Sequence, residues 1–323
     1  MHTPCTETLI SSAAPTMAAL MLRCGWVAVA LLLTRASASL DYSKRAALCM
    51  SGQLRTFLET YESLGRLRRS FPGETDIFMF VSRNESYRKS LGLAAHHGTH
   101  APARDAAAIA SLAPVAVEYY ESSRKRLDRA AGPGLADYEA EAPPVGDCHR
   151  NPSKPTCCHF SHHGPQFWSV GKCLAMVQDH ERALGVRYGW AARLRPDALY
   201  GRKQVRVVRA ITRDVGVDVE APRAWYRHSA RSDAFAVMTR GAMDSYQRIW
   251  ADEFRDGRCA DIGLAHRPDD AVLGRVCAPY KIRYKYGTEC MVTAHLVLRG
   301  GVNVTAHDHL TPKLVRPGGG VGR

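Results

Sequence analysis

A chain of 323 residues has room for one large domain or two small ones. With 46% hydrophobic and 23% charged residues it can bury a sizeable core, which excludes a disordered or fibrous chain. The net charge of +13, carried mainly by arginine, suits acidic partners such as glycans or nucleotide phosphates, whereas the absence of a basic stripe interleaved with aromatics argues against nucleic acid.

Residues 1–38 read as a targeting segment. Met17–Arg23 is a short basic region, Cys24–Leu33 an apolar core and Ala36-Ser37-Ala38 a cleavage site, the order of a secretory signal. The uninterrupted apolar run is shorter than the roughly 20 residues a spanning helix needs. Counted from Met17 it lengthens, broken by Arg23, so a membrane signal-anchor stands beside the cleaved signal. Either way the expected location is the ER or Golgi lumen, secreted or anchored. Asn84-Glu-Ser86 and Asn303-Val-Thr305 are glycosylation acceptors. Past the leader lie Cys49, Cys148, Cys157, Cys158, Cys173, Cys259, Cys277 and Cys290, an even number that suits disulfides in an oxidising lumen. Their spacing leaves the pairing open, although adjacent Cys157 and Cys158 are expected to bridge to different partners.

Lys44–Gly52 reads as a first strand. A helix follows from Thr56 to Arg69, with Phe57, Tyr61, Leu64 and Leu67 at spacings of three and four. Asp76–Val81 is a continuous apolar run, as in a strand covered on both faces, so the chain opens as a parallel strand–helix–strand crossover. Ala106–Ala113 is a short helix and Val115–Tyr120 a third strand. Residues 122–165 lack periodicity and read as a long loop. Gln166–Leu184 is an amphipathic helix leading into the strand Tyr188–Arg195. Val205–Val208, Ala224–Tyr226 and Asp233–Met238 read as short strands, and Arg240–Phe254 as a helix. Asp269–Val276 is a short helix, and Tyr280–Tyr286 and Met291–Leu298 are late strands. The expectation is one α/β domain over residues 42–312, a mostly parallel central sheet with helices on both faces, and a disordered Gly-rich tail over 313–323.

Two strand ends carry residues suited to chemistry. Pro196 stops the strand Tyr188–Arg195, because proline cannot donate to the ladder, and Arg193, Arg195 and Asp197 are delivered to its C-terminal edge. Ligands of open α/β sheets bind in the crevice at that edge. Two guanidiniums and a carboxylate suit an anionic, metal-chelated ligand, and equally a plain Arg–Asp ion pair. The first strand ends in Ser51-Gly52-Gln53-Leu54-Arg55-Thr56-Phe57. Gly52 and Gln53 at a strand-to-helix turn let backbone amides approach an anion, and Arg55 can contact a phosphate; an ordinary tight turn capped by Thr56 is the alternative. Lys172, on the helix before the central strand, can reach a phosphate or stay solvated. Cys148, Cys157 and Cys158 with their neighbouring histidines match no regular zinc spacing.

Taken in order, Ala47-Leu-Cys-Met-Ser-Gly-Gln-Leu-Arg-Thr-Phe57, Asp76-Ile-Phe-Met-Phe80, Lys172-Cys173, Arg193-Leu-Arg-Pro-Asp197 and Asp233-Ala-Phe-Ala-Val-Met238 resemble a group of glycosyltransferases from algae, plants and protists, itself similar to the GT-A fold. That resemblance implies a nucleoside-diphosphate sugar donor, a glycan or glycoprotein acceptor and often Mn²⁺ or Mg²⁺, with Asp197 standing where the usual Asp-x-Asp metal motif sits. The chain departs from that motif, since Arg195 replaces the first carboxylate; Arg193 and Arg195 can instead neutralise the leaving diphosphate themselves. Asp270 matches an acidic position of the family and, with Asp233, is the candidate base that deprotonates the acceptor. First-turn acids on a helix dipole give Asp269 and Asp270 a structural alternative. His307-Asp308-His309 is a candidate late metal ligand or a surface turn. Two other classes fit less well. A non-catalytic carbohydrate-binding module explains the missing second carboxylate. A sulfotransferase-like enzyme would want a lysine that Ser51–Phe57 lacks.

Overall fold

The computed structural model describes residues 41–54, 56–82, 102–120, 164–214, 222–226, 234–255, 276–277 and 288–315. The described residues from Tyr42 onward belong to one unit. Strand β1 (Ala46–Gln53) leads through helix α1 (Phe57–Arg68) to β2 (Thr75–Ser82), and α2 (Pro102–Ser111) precedes β3 (Ala116–Tyr120). Helix α3 (Gly164–Leu184) runs back to β4 (Trp190–Leu194), followed by the two-residue β5 (Ala198–Leu199) and α4 (Arg202–Asp214). Strands β6 (Arg223–Tyr226) and β7 (Ala236–Thr239) come next. Helix α5 (Arg240–Ile249) continues as a π-helical turn over Trp250–Arg255. Helix α6 (Thr288–Ala294) with its π-helical extension His295–Arg299, β8 (Asn303–Ala306) and β9 (Lys313–Leu314) complete the order.

Seven strands form one sheet in the order β3-β2-β1-β4-β7-β6-β8, and only β7 runs against the others. The protein is therefore an α/β fold with a mostly parallel central sheet. Continuous apolar runs in β1 and β2 follow from helices lying on both faces. Helices α3, α5 and α6 bury one face around Phe78, Trp168, Tyr246 and Leu296. Helices α1, α2 and α4 bury the other around Leu48, Leu64, Ile109 and Val208. Trp168 and Trp190 are core residues.

The N-terminal edge of the sheet is closed by charge pairs. Arg45 grips both oxygens of Asp76, which also accepts the Tyr188 hydroxyl at 2.6 Å. Glu181 on α3 holds the Arg240 guanidinium at 2.9 Å and accepts the Tyr188 backbone N–H at 2.9 Å. Cys49 of β1 and Cys173 of α3 form a disulfide with Cα atoms 5.8 Å apart, and Cys277 and Cys290 form another at 5.4 Å.

Two expected strands are helices. Val205–Val208 lies inside α4, where Val207, Val208 and Ile211 are buried at helical spacing and arginines take the outer side; a run of β-branched residues mimics a strand when its flanking charges are not counted. Met291–Leu298 belongs to α6 and its extension, which is buried on so many sides that an amphipathic period is hard to see. Lys313 and Leu314, assigned to the tail by composition, pair with Leu199 and Ala198 instead. The targeting segment, the helix Asp269–Val276 apart from Val276 itself, the strand Tyr280–Tyr286 and the end of the tail lie outside the described residues. Among the described residues no helix is long and apolar enough to cross a membrane.

Candidate functional site

In this sheet β1 is flanked by β2 and β4. The chain passes from β1 toward β2 on one side and later returns to β4 on the other, so the C-terminal ends of β1 and β4 form a topological switch point. The two segments singled out in the sequence meet there. Gly52 adopts φ +131°, and a Cβ on it would stand 3.4 Å from Cδ of Pro196. That backbone is strained for any other residue, so Gly52→Ala is expected to lower stability by roughly 1–3 kcal/mol. Chemical denaturation measures it, and an unchanged midpoint would contradict the described turn.

The turn after β4 is held from several directions. Tyr200 accepts the Arg195 backbone N–H at 2.9 Å, and its own backbone N–H donates to Ser63 at 3.1 Å. Burial pushes the Tyr200 hydroxyl pKa up; Asp197 adds to that, while Arg195 and Arg193 oppose it. Thr60 of α1 donates to the Pro196 carbonyl, and the Val315 N–H donates to the Asp197 carbonyl at 2.9 Å. Thr56 donates its hydroxyl to the Val315 carbonyl at 3.2 Å and makes no side-chain cap on α1, which departs from the capping role read in the sequence. Thr60, Ser63, Tyr200 and Val315 were not apparent as site residues, because their roles arise from contacts distant in sequence.

Within this rigid turn, Arg195 donates Nε to Oδ1 and Nη2 to Oδ2 of Asp197, both at 2.8 Å. Asp197 is 2% exposed, whereas the Arg195 side chain is 22% exposed. The pair is thus a planar fork–carboxylate contact whose guanidinium, not its carboxylate, reaches solvent. Arg193 is 1% exposed and lies under α5, with Nη1 3.5 Å from the Tyr246 hydroxyl. Alternation along β4 puts it on the α3–α5 face, one layer beneath the edge.

Beside Arg195 on that face, the Tyr120 ring stacks on Phe80 and meets Trp168 edge-on. Burial pushes its hydroxyl pKa up to about 12, against the Ser169 hydroxyl and the charge of Arg195. Ser51, at the end of β1, has a buried Oγ with no hydrogen-bond partner among the described residues. Gln53 is half-buried in register with Ser82. Lys172 places Nζ over the Trp168 ring at 5.7 Å, farther along α3 than the residues near Tyr120.

The other candidates fall elsewhere. Arg55, Asp233, Asp270, Asn84, Cys148, Cys157, Cys158 and Cys259 lie outside the described residues. Asn303 is exposed on β8, as an acceptor asparagine needs to be. His307 and His309 have ring centroids 5.9 Å apart, and His309 is exposed.

The Mn²⁺ or Mg²⁺ that the resemblance implies does not fit Asp197 as it is arranged. Both carboxylate oxygens are engaged by Arg195, so a cation there would have to displace a guanidinium while lacking the several oxygen ligands hard cations take. Among the described residues, no group of three His, Cys, Asp or Glu side chains is placed to hold a metal.

No protein-family model matches this chain, and no curated protein is significantly similar to it.

Proposed function

We propose that this chain is a glycosyltransferase that moves a sugar from a nucleoside-diphosphate donor to a glycan or glycoprotein acceptor in the ER or Golgi lumen. The observation that carries the reading is the meeting of Gly52–Gln53 with Arg195-Pro196-Asp197 at the switch point of a mostly parallel sheet. A diphosphate over that point finds backbone approach at Gly52 and positive charge at Arg195, with Asp197 positioning the guanidinium. Arg193 is assigned a supporting place below the edge, and Arg55 and Lys172 are further candidate contacts to the donor.

In the reaction the acceptor oxygen bonds to the anomeric carbon while the bond from that carbon to the diphosphate breaks. The acceptor proton passes to a carboxylate, proposed to be Asp270 or Asp233, and the diphosphate leaves with the bonding pair. Arg195 offsets the charge that develops on it.

Melting temperature tests donor binding, screened across nucleoside-diphosphate sugars with and without Mn²⁺. A ligand at about 100 times its Kd stabilises by about 2.7 kcal/mol, a rise on the order of 5–10 °C for a chain of this size. Arg195→Ala is expected to abolish that rise and Asp197→Ala to weaken it. A screen with no responding donor, or a full response in Arg195→Ala, counts against the reading. Burial of Arg193 and Asp197 favours one second reading, a non-catalytic carbohydrate-binding module on the same fold. Donor turnover by the purified protein separates the two.

A further inference from the structure

Helix α4 has two unlike faces. Val207, Val208 and Ile211 are buried in the core, and Gln204 is fixed by donating to the carbonyls of His309 and Thr311 at 2.9 and 2.7 Å. The outer face presents Arg202, Lys203, Arg206, Arg209 and Arg213, all exposed. Residues 202, 206, 209 and 213 recur every three or four positions and so form one stripe, roughly 16 Å long at the helical rise. Among the described residues no carboxylate forms an ion pair with Arg202, Lys203, Arg206 or Arg209. Among exposed arginines off this helix, Arg182 and Arg248 by contrast sit against Asp179 and Asp252. Leaving several adjacent cations uncompensated costs self-repulsion along the helix, which a polyanion would relieve.

We propose that this stripe is the docking surface for a linear polyanionic glycan, one carrying sulfates or carboxylates along its length. Three observations select that partner. The stripe is dominated by arginine, whose planar fork matches sulfate and carboxylate in a bidentate way. Its exposed positions hold no aromatic and no amide side chain, so nothing is offered for stacking on bases or reading their edges. The large apolar residues Val207, Val208 and Ile211 are committed to the core, and only the half-buried Val205 and Ala210 remain, too little apolar surface to insert into a bilayer. This inference stands on α4 alone and does not require the transfer reaction.

The test is binding of heparin oligosaccharides and of a polyuronate to the full chain over a range of salt concentrations, with a short duplex DNA and phosphatidylserine vesicles as competing probes. Wild-type protein is expected to bind at least one of the two glycan probes, more weakly as salt rises. R206E/R209E should bind it about tenfold or more weakly, with a shallower salt slope. R206Q/R209Q should lie between. R104E/R182E makes the same change in net charge at exposed sites off α4 and should bind like wild type. Circular dichroism checks that α4 persists in each variant. An equal loss in R104E/R182E would reduce the effect to net charge and overturn the assignment to α4. Absence of binding to both glycans, or tighter binding to DNA or vesicles than to either, would overturn the choice of partner.

Discussion

Opening the Cys49–Cys173 disulfide is expected to destabilise the protein by roughly 5 kcal/mol, because the bond closes a loop with a sequence separation of 124 and the entropy it removes from the unfolded chain grows with the logarithm of that length. Both cysteines are fully buried. Two measurements isolate the effect: urea denaturation of Cys173→Ala, and of wild-type protein with and without reductant. The variant also loses the packing of one sulfur, so agreement between the two assigns the loss to the cross-link. Reductant should then add little to Cys173→Ala beyond the contribution of the other disulfides. Peptide mapping supplies the decisive counter-result, since Cys49 found as a free thiol, or joined to another cysteine in oxidised protein, would refute the pairing. The bond also bears on the candidate site. Cys49 lies three residues before Gly52, and α3 carries Ser169 and Trp168 beside Tyr120. Loosening α3 from β1 is therefore expected to reduce any donor-induced rise in melting temperature as well.

Much of this architecture was legible from local pattern. The runs Ala46–Met50 and Asp76–Val81 are apolar without alternation, which is how strands covered on both faces read, and both are strands. Gln166–Leu184 was recognisable as a helix by its period, and the structure extends it two residues to Gly164. Helix α4 was missed because Val205, Val207 and Val208 favour a strand locally, and only packing against Leu310 and the α1 side of the core decides otherwise. That error also hid the cationic stripe, since its spacing appears only on a helix. At the candidate site, sequence identified the strand end and its proline stop. It left open whether Arg195 and Asp197 face a ligand or each other. Their mutual fork depends on Tyr200, Thr60 and Val315 fixing the turn, and those contacts span up to 136 positions. The antiparallel placement of β7 between β4 and β6 was likewise beyond reach, because strand direction is set by how crossovers return to the sheet rather than by the strand's own residues.

Glu253→Ala is expected to cost about 3–5 kcal/mol, the range for removing one partner of a buried ion pair. Glu253 is 0% exposed, on the π-helical turn that extends α5. One of its oxygens meets His295 Nδ1 at 2.6 Å and Arg299 Nε at 2.7 Å, so it joins α5 to the extension of α6. The far ring nitrogen of His295 meets the Ser245 carbonyl at 2.9 Å. Close approach of the two helices is needed for that bond, and Gly300 permits it, because a Cβ there would fall 2.5 Å from Ser245 Oγ. Removing the carboxylate leaves the buried His295 without its anion and takes from Arg299 its contact with Glu253. Glu253→Gln keeps the shape and one acceptor oxygen, so it should lose less than Glu253→Ala. Glu253→Leu combined with His295→Leu replaces the pair with apolar volume and should recover much of the loss, since hydrophobic substitutes for buried ion pairs are often neutral. Arg299 is 15% exposed and can turn toward solvent in that double variant. Urea denaturation of wild type, Glu253→Leu, His295→Leu and the double variant gives the coupling directly. Additive losses, with no recovery in the double variant, would mean that Glu253 and His295 act independently and that the triad does not tie α5 to α6.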